Sequence, residues 1–95
     1  MKVYVLDGEK MTSITEAHRY IAKTLDFPDY YGGNLDALYD CLSGIPKSGC
    51  IVVINKNELT KYLGGYARRL ITVIDDASNR YGFSFAVCED GGNLG

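Results

Sequence analysis

Two aspartates, Asp36 and Asp40, have the spacing in this sequence that most clearly suggests a chemical function. Residues four apart on a helix share one face, with Cβ atoms about 5–6 Å apart, and like charges at that spacing repel. Asp36 suits a first helical turn, whereas Asp40 falls near the C-terminal end, where the helix dipole disfavours an anion. The pair predicts either a binding surface for cations or two carboxylates for acid–base catalysis.

The segment around these two acids contains no lysine or arginine between Lys23 and Lys47. It contains four aspartates and three tyrosines: Asp26, Asp29, Asp36, Asp40, Tyr30, Tyr31 and Tyr39. Tyrosine offers rigid contact area, and carboxylates attract and pair with cations. We therefore predict an acidic protein-binding surface for a basic partner, with an ordinary solvated acidic face as the alternative.

Other patterns that could support catalysis are weak. The single histidine, His18, lies at helical spacing from Ile14 and Ile21 and is predicted to be structural. The paired glycines at 64–65 lack the lysine and spacing of a phosphate-binding loop. Three cysteines without CxxC spacing predict neither a disulfide framework nor a zinc site, but core residues in a reducing compartment. The sequence indicates no enzyme, no cofactor and no metal.

Length and composition limit the chain to one small domain. It has 95 residues, of which 46% are hydrophobic, and 10 basic residues against 12 acidic ones give a net charge of −2. This balance argues against a disordered chain and against a general nucleic-acid binder. No apolar run reaches the roughly 20 residues of a membrane span, and the N-terminus does not resemble a signal peptide. We expect a cytoplasmic domain over residues 1–90 and a flexible C-terminal tail over 91–95.

Hydrophobic patterning predicts alternating strands and helices. Short β-branched runs favour strands, and apolar residues three and four apart favour helices. The predicted strands cover residues 3–6, 50–54 and 83–87, and the predicted helices cover residues 14–25, 35–42, 57–63 and 66–80. Helices between strands imply right-handed crossovers, so the fold class is α/β, a two-layer, three-stranded parallel sheet with helices packed on it. The continuous run at 50–54 predicts a central strand buried on both faces.

Local signals define where the first two helices begin. The Ser13–Glu16 tetrapeptide has the form of a capping box, which places the first helical residue at Ile14. Residues 26–33 contain a proline and two glycines and must form a loop. Asn34 follows this loop and is a favourable N-cap for the helix that carries both aspartates.

The run Phe27-Pro-Asp-Tyr-Tyr-Gly-Gly-Asn-Leu-Asp-Ala-Leu-Tyr-Asp-Cys-Leu42 resembles the signature of the barstar family, intracellular inhibitors of the ribonuclease barnase. Weaker similarity covers nearly the whole chain, and residues 45–66 match poorly. The resemblance implies the barstar-like fold, in agreement with the predicted element order. It also implies inhibition of a basic, secreted, barnase-type (guanyl-type) ribonuclease, in which an acidic helix and loop mimic RNA phosphates without any cofactor.

The resemblance implies a set of partner-binding residues. Tyr30 corresponds to the loop tyrosine that packs on the catalytic histidine of the ribonuclease. Asp40 corresponds to the central aspartate, which enters the phosphate site. The other positions that correspond to contacts of the family are Asn34, Asp36, Tyr39, Gly44 and Asp76.

Four positions depart from the best-known family member. Tyr39 replaces a tryptophan, Ile45 replaces an aromatic residue, and Arg80 stands where that member has an acid. Asp76 replaces a glutamate and could instead pair locally with Arg80, four residues later. These departures bear on the identity of the partner. The chain is expected to be a monomer when free, and the alternative function is an acidic binding module or an immunity protein for a different basic toxin.

Overall fold

Three parallel strands form the centre of the structure, a computed structural model that describes residues 2–91. They lie side by side in the order β1 (Val3–Asp7), β2 (Cys50–Ile54) and β3 (Ser84–Val87). In the register of the sheet, Val5 is opposite Val52, and Val52 is opposite Ala86. The predicted parallel sheet, with residues 50–54 as its central strand, is confirmed.

Two helices connect each strand to the next. They are α1 (Ile14–Thr24), α2 (Leu35–Cys41), α3 (Lys56–Leu63) and α4 (Gly65–Tyr81). The predictions differ from these bounds by one residue at the ends of α1 and α2, at the start of α3 and at both ends of α4. β1 also extends to Asp7 rather than residue 6, and β3 begins at Ser84 rather than at residue 83. Gly64 separates α3 from α4 with a φ of 57°, a left-handed conformation that glycine adopts without strain. The predicted two-layer α/β architecture is confirmed.

The core lies between the helices and one face of the sheet. Leu6, Ile51 and Val53 contribute fully buried side chains from that face. Because alternate strand residues point to opposite faces, Val52 belongs to the other face, where it is only half-buried. Val3 lies on the same outer face and is 54% exposed. The prediction that residues 50–54 are buried on both faces is therefore wrong, since a β-branched run does not show how many of its faces are covered.

Side-chain caps begin the first two helices where the sequence predicts. Ser13 Oγ accepts a hydrogen bond of 3.1 Å from the backbone N–H of Glu16, and Asn34 Oδ1 accepts one of 2.8 Å from Ala37. The carboxylate of Glu16 does not return to the Ser13 backbone but pairs with Arg19 at 2.6 Å. The cap at Asn34 fixes the first turn of α2 directly after the loop.

The cysteines are less buried than predicted. Cys41, Cys50 and Cys88 are all free and half-buried, so they lie at the edge of the core rather than within it. In the part of the chain that the structure describes, no group of three or more His, Cys, Asp or Glu side chains could hold a metal ion.

The chain that leads into the predicted tail is tied to the start of α3. Backbone N–H groups of residues 55–57 donate to the carbonyls of residues 88–90, over distances of 2.7 to 3.2 Å. Residues 92–95 of the predicted tail lie outside the described residues. Among helices within residues 2–91, none combines the length and apolar character that crossing a membrane requires.

Candidate protein-binding surface

Helix α2 directs its two aspartates to solvent because its opposite side is fixed in the core. Leu38 and Leu42 are fully buried, and Leu35 is half-buried beside them. Asp36 and Asp40, four residues apart, are both exposed. Among the described residues neither aspartate belongs to an ion pair or accepts a hydrogen bond through its side chain. No counter-ion in the described part of the chain therefore relieves the repulsion predicted for this pair.

The position of Asp40 in α2 is electrostatically unfavourable. It is the penultimate residue of a helix whose last turn contains no basic residue, so its charge lies near the negative end of the dipole. The neighbouring thiol also responds to this charge. Burial raises the pKa of Cys41, and the Asp40 carboxylate raises it further. A cation supplied by another molecule would stabilise this end of the helix.

A tight turn in the loop before α2 presents Tyr30 to solvent. The N–H of Tyr31 donates to the carbonyl of Pro28 at 3.0 Å, which closes the turn over residues 28–31. Tyr30 is 86% exposed, the largest exposure among the large hydrophobic side chains of the described residues. An exposed ring on an ordered turn offers contact area with little conformational entropy to lose.

Tyr31, unlike Tyr30, turns towards the interior. Its hydroxyl lies 2.6 Å from His18 Nδ1, and the hydroxyl of Tyr66 lies 2.6 Å from His18 Nε2. His18 is 3% exposed, and burial lowers its pKa while also raising the pKa of Tyr31. The structural role predicted for His18 is consistent with this burial. The hydroxyl of Tyr31 therefore does not face a partner, although the sequence predicts that this residue belongs to an acidic protein-binding surface.

Tyr39 and Gly44 lie on the same side of the fold as α2 but in different surroundings. The ring of Tyr39 packs against Tyr81, with centroids 5.6 Å apart, and is half-buried. Gly44 ends the 3₁₀ turn that follows α2 and is exposed. Apart from the adjoining backbone, no atom of the described residues lies within 4 Å of the place that a Cβ at Gly44 would occupy. Gly44 is therefore open to a partner, whereas Tyr39 can offer only part of its ring.

Asp76 and Arg80 lie on α4, the helix that packs against α2. Both are exposed, and the local ion pair that their spacing allows is not formed between them. Ile45 is 6% exposed and belongs to the core. Of the positions that depart from the best-known family member, Arg80 therefore alters the surface charge, whereas Ile45 alters the packing of the core.

A groove of about 640 Å³ lies between α1 and the loop of residues 26–33. Its lining includes His18 and Tyr31 together with the charged residues Arg19, Lys23 and Asp29. Neither Asp36 nor Asp40 lines it. The two aspartates instead stand on an open helix face, which suits contact with a large partner better than enclosure of a small substrate.

Comparison with known proteins assigns the chain to a family. A family model described as "Barstar (barnase inhibitor)" matches residues 1–89. This chain belongs to the barstar family. It is also 36% identical over 88 residues to the "Putative ribonuclease inhibitor YrdF" of Bacillus subtilis (strain 168), an alignment that covers 92% of this chain and 97% of that protein.

Within the barstar family, the acidic surface of this chain can now be described by its residues. Of the seven positions that the resemblance implies, the structure exposes Tyr30, Asn34, Asp36, Asp40 and Gly44 along one segment of the chain, from the loop through α2 to the turn after it. We call these five residues the acidic surface. Tyr39 on α2 is half-buried, and Asp76 is exposed on α4. Tyr66 was not identified, because it follows the glycine pair at 64–65 and nothing in its local pattern indicates a contact with His18, 48 residues away.

Proposed function

We propose that this member of the barstar family inhibits a basic, secreted ribonuclease of the barnase type. The acidic surface would cover the active site of the enzyme, with the carboxylates of Asp36 and Asp40 in the places of RNA phosphates. One observation carries the proposal: among the described residues both acids are exposed and unpaired, on a helix that follows directly after the loop carrying a tyrosine that is 86% exposed. The description of the family as barnase inhibitors and the name of the Bacillus subtilis relative, "Putative ribonuclease inhibitor YrdF", support the same activity.

The electrostatics of α2 suit a partner whose active site binds RNA. Such a site gathers cations that hold phosphate groups, and these cations repel one another when the site is empty. Asp36 and Asp40 have the converse problem, since each is near a like charge and neither has a counter-ion in the described residues. Bringing the two sites together relieves both repulsions, and this relief favours the complex over either free protein.

Preorganisation supports the same proposal. Leu38 and Leu42 fix α2 in the core, so the aspartates lose little backbone entropy when they bind. The Asn34 cap uses its Oδ1 for Ala37, which leaves its amide N–H groups able to donate to the ribonuclease. Gly44 would allow close approach of the partner backbone because it has no side chain.

The remaining members of the proposed site have distinct roles. Tyr30 would pack on the catalytic histidine of the enzyme, as in the family position that it matches. Tyr39 would extend the apolar contact with the exposed part of its ring, and Asp76 would meet cations at the rim from α4. We further propose that the free chain is a monomer of one domain, residues 1–90. It would act as an immunity protein in the cytoplasm, where it would protect the producing cell.

The direct test is inhibition of purified barnase by the purified chain, with RNA hydrolysis as the readout. The proposal predicts stoichiometric inhibition by the parent, and much weaker inhibition by the double variant Asp36→Asn/Asp40→Asn. The matched control is Glu9→Gln/Glu89→Gln, which removes the same two charges from exposed positions on other parts of the chain. Raising the salt concentration should slow association, because screening weakens electrostatic steering.

Lack of inhibition by the parent at several-fold molar excess would refute a barnase-type target. Parent-like inhibition by the Asp36/Asp40 variant would refute phosphate mimicry while leaving inhibition intact. The alternative function, an acidic binding module for a different basic toxin, predicts the first of these results together with binding to that other toxin.

A further inference from the structure

The loop of residues 26–33 is joined to two helices by a chain of three side chains. Tyr31 OH lies 2.6 Å from His18 Nδ1 on α1, and Tyr66 OH on α4 lies 2.6 Å from His18 Nε2. A neutral imidazole has one donating and one accepting nitrogen, so one tyrosine hydroxyl accepts from the ring and the other donates to it. Each member of the chain thus has a hydrogen-bond partner, and no buried polar side-chain atom of the described residues lacks one. A network of this kind restrains its members.

Few other contacts hold the middle of this loop. Phe27 anchors its start, since its N–H donates to the carbonyl of Ala22 at 2.9 Å. Gly33 has a φ of 69° and no side chain, and nothing lies within 4 Å of where its Cβ would be. Between Phe27 and the cap residue Asn34, the side chain that fixes the loop to the helices is therefore that of Tyr31.

Tyr31 also closes the turn that presents Tyr30. Its N–H bonds to the carbonyl of Pro28, so the place of Tyr31 determines the direction of the neighbouring Tyr30 side chain. The rings of Phe27 and Tyr31 pack with centroids 5.0 Å apart, but ring packing restricts direction less than a hydrogen bond at each end of an imidazole does. The direction of Tyr30 thus depends on His18.

We infer that His18 and Tyr66 are positioning residues for ribonuclease binding, which hold Tyr31 and thereby fix the loop that presents Tyr30. This inference rests on the function proposed above. His18 is 3% exposed and cannot form much contact with a partner itself. Tyr66 lies at the start of α4, outside the acidic surface, so an effect of its hydroxyl on binding would have to pass through His18 and Tyr31.

The test is the variant Tyr66→Phe, which removes one hydroxyl and keeps the ring. His18 Nε2 then loses its partner, and the imidazole is free to turn away from Tyr31. The loop would occupy additional conformations, and the ribonuclease would bind only the fraction with Tyr30 correctly placed. We expect the inhibition constant for barnase to rise about threefold to tenfold, the range that corresponds to the net free energy of one hydrogen bond.

Two controls separate positioning from a loss of stability. Tyr62→Phe removes a hydroxyl from an exposed tyrosine of α3 that forms no hydrogen bond among the described residues. Tyr20→Phe removes a hydroxyl that accepts a 3.0 Å bond from the Asp7 N–H, so it lowers stability without touching the loop. Inhibition is measured where every variant is more than about 99% folded, a condition under which stability alone does not alter the inhibition constant.

A conservative replacement of the histidine provides a rescue. In His18→Gln the side-chain amide keeps a donor and an acceptor for the two tyrosine hydroxyls, whereas His18→Phe fills the space and bonds to neither. Positioning predicts inhibition close to that of the parent for His18→Gln and weaker inhibition for His18→Phe. Amide hydrogen exchange of residues 26–33 gives a second readout that needs no ribonuclease, and it should be faster in Tyr66→Phe and His18→Phe than in the controls.

The inference is overturned if Tyr66→Phe inhibits as tightly as the parent, or if Tyr20→Phe weakens inhibition equally. If the parent does not inhibit barnase, the proposed function fails, and hydrogen exchange then decides the inference. Faster exchange confined to the loop would support the positioning of Tyr31 by His18 and Tyr66. Unchanged exchange would refute it.

Discussion

The substitution Asp40→Asn should stabilise the free protein and weaken its complex with a ribonuclease. It removes one charge and keeps nearly the same shape and helix propensity, so the electrostatic contribution is isolated. Repulsion from Asp36 at four-residue spacing costs about 0.2–0.5 kcal/mol. The anion near the C-terminal end of α2, where no basic residue compensates it, costs about 0.3–1 kcal/mol more.

These two contributions predict an increase of about 0.5–1.5 kcal/mol in the free energy of unfolding at low salt. In urea the midpoint should rise by roughly 0.5 M, because domains of this size have m-values near 1–3 kcal/mol/M. The increase should shrink in 1 M NaCl, where the Debye length is about 3 Å. Circular dichroism at both salt concentrations measures the change.

The complex should respond in the opposite direction. Loss of a charged hydrogen-bonding partner costs about 1.5–3 kcal/mol, which raises the dissociation constant for barnase between about 10-fold and 150-fold. The control Glu9→Gln removes one exposed charge outside α2 and should change neither quantity strongly. The reasoning is refuted if Asp40→Asn destabilises the free chain, or if it stabilises the chain and binds barnase as tightly as the parent.

Three further predictions concern other residues of the fold and the acidic surface. Tyr30→Ala should leave the urea midpoint unchanged, because the side chain is 86% exposed. It should weaken inhibition by roughly 1.5–3 kcal/mol, the free energy that burial of such a ring in the complex provides. Inhibition as strong as that of the parent would show that Tyr30 is not part of the site. Gly44→Ala should fold normally, since its Cβ would meet nothing within 4 Å, and it should weaken inhibition if the partner backbone approaches there, as calorimetry of the complex would measure. Burial lowers the pKa of His18 below 6.5, so the unfolded chain binds the proton more readily than the folded chain. The contribution of neutral His18 to the free energy of unfolding should be fully present above pH 6.5 and decline as the pH falls below it. Urea titrations should show this decline in the parent but not in His18→Gln.

Much of the acidic surface could be predicted because its signals are local. A cap residue, apolar side chains at helical spacing and the absence of cations define α2 and the outward face of Asp36 and Asp40 without reference to the rest of the chain. The same holds for the loop, which a proline and two glycines enforce. The family signature runs over this same local segment, so the resemblance and the physical pattern agree on Tyr30, Asp36 and Asp40.

The features that the sequence did not reveal depend on distant contacts. Tyr30 and Tyr31 are adjacent and identical in type, and it is contacts with His18 and Phe27, distant or local, that distinguish the inward-pointing Tyr31. The spacing of Asp76 and Arg80 permits an ion pair that does not form, because exposed pairs gain little over solvation by water. The outer face of β2 is half-buried because packing on that face is set by the whole fold and not by β-branched residues alone.

The central claim is that the acidic surface occupies the phosphate-binding site of a ribonuclease. Competition between this chain and guanosine 3′-phosphate for barnase tests it most directly, with the apparent dissociation constant of the chain measured at increasing nucleotide concentration. Phosphate mimicry predicts mutually exclusive binding. Once the nucleotide concentration exceeds the dissociation constant of the nucleotide for barnase, the apparent dissociation constant of the chain should therefore rise in proportion to the nucleotide concentration. A ternary complex, in which the chain binds equally well to nucleotide-saturated enzyme, would contradict the account.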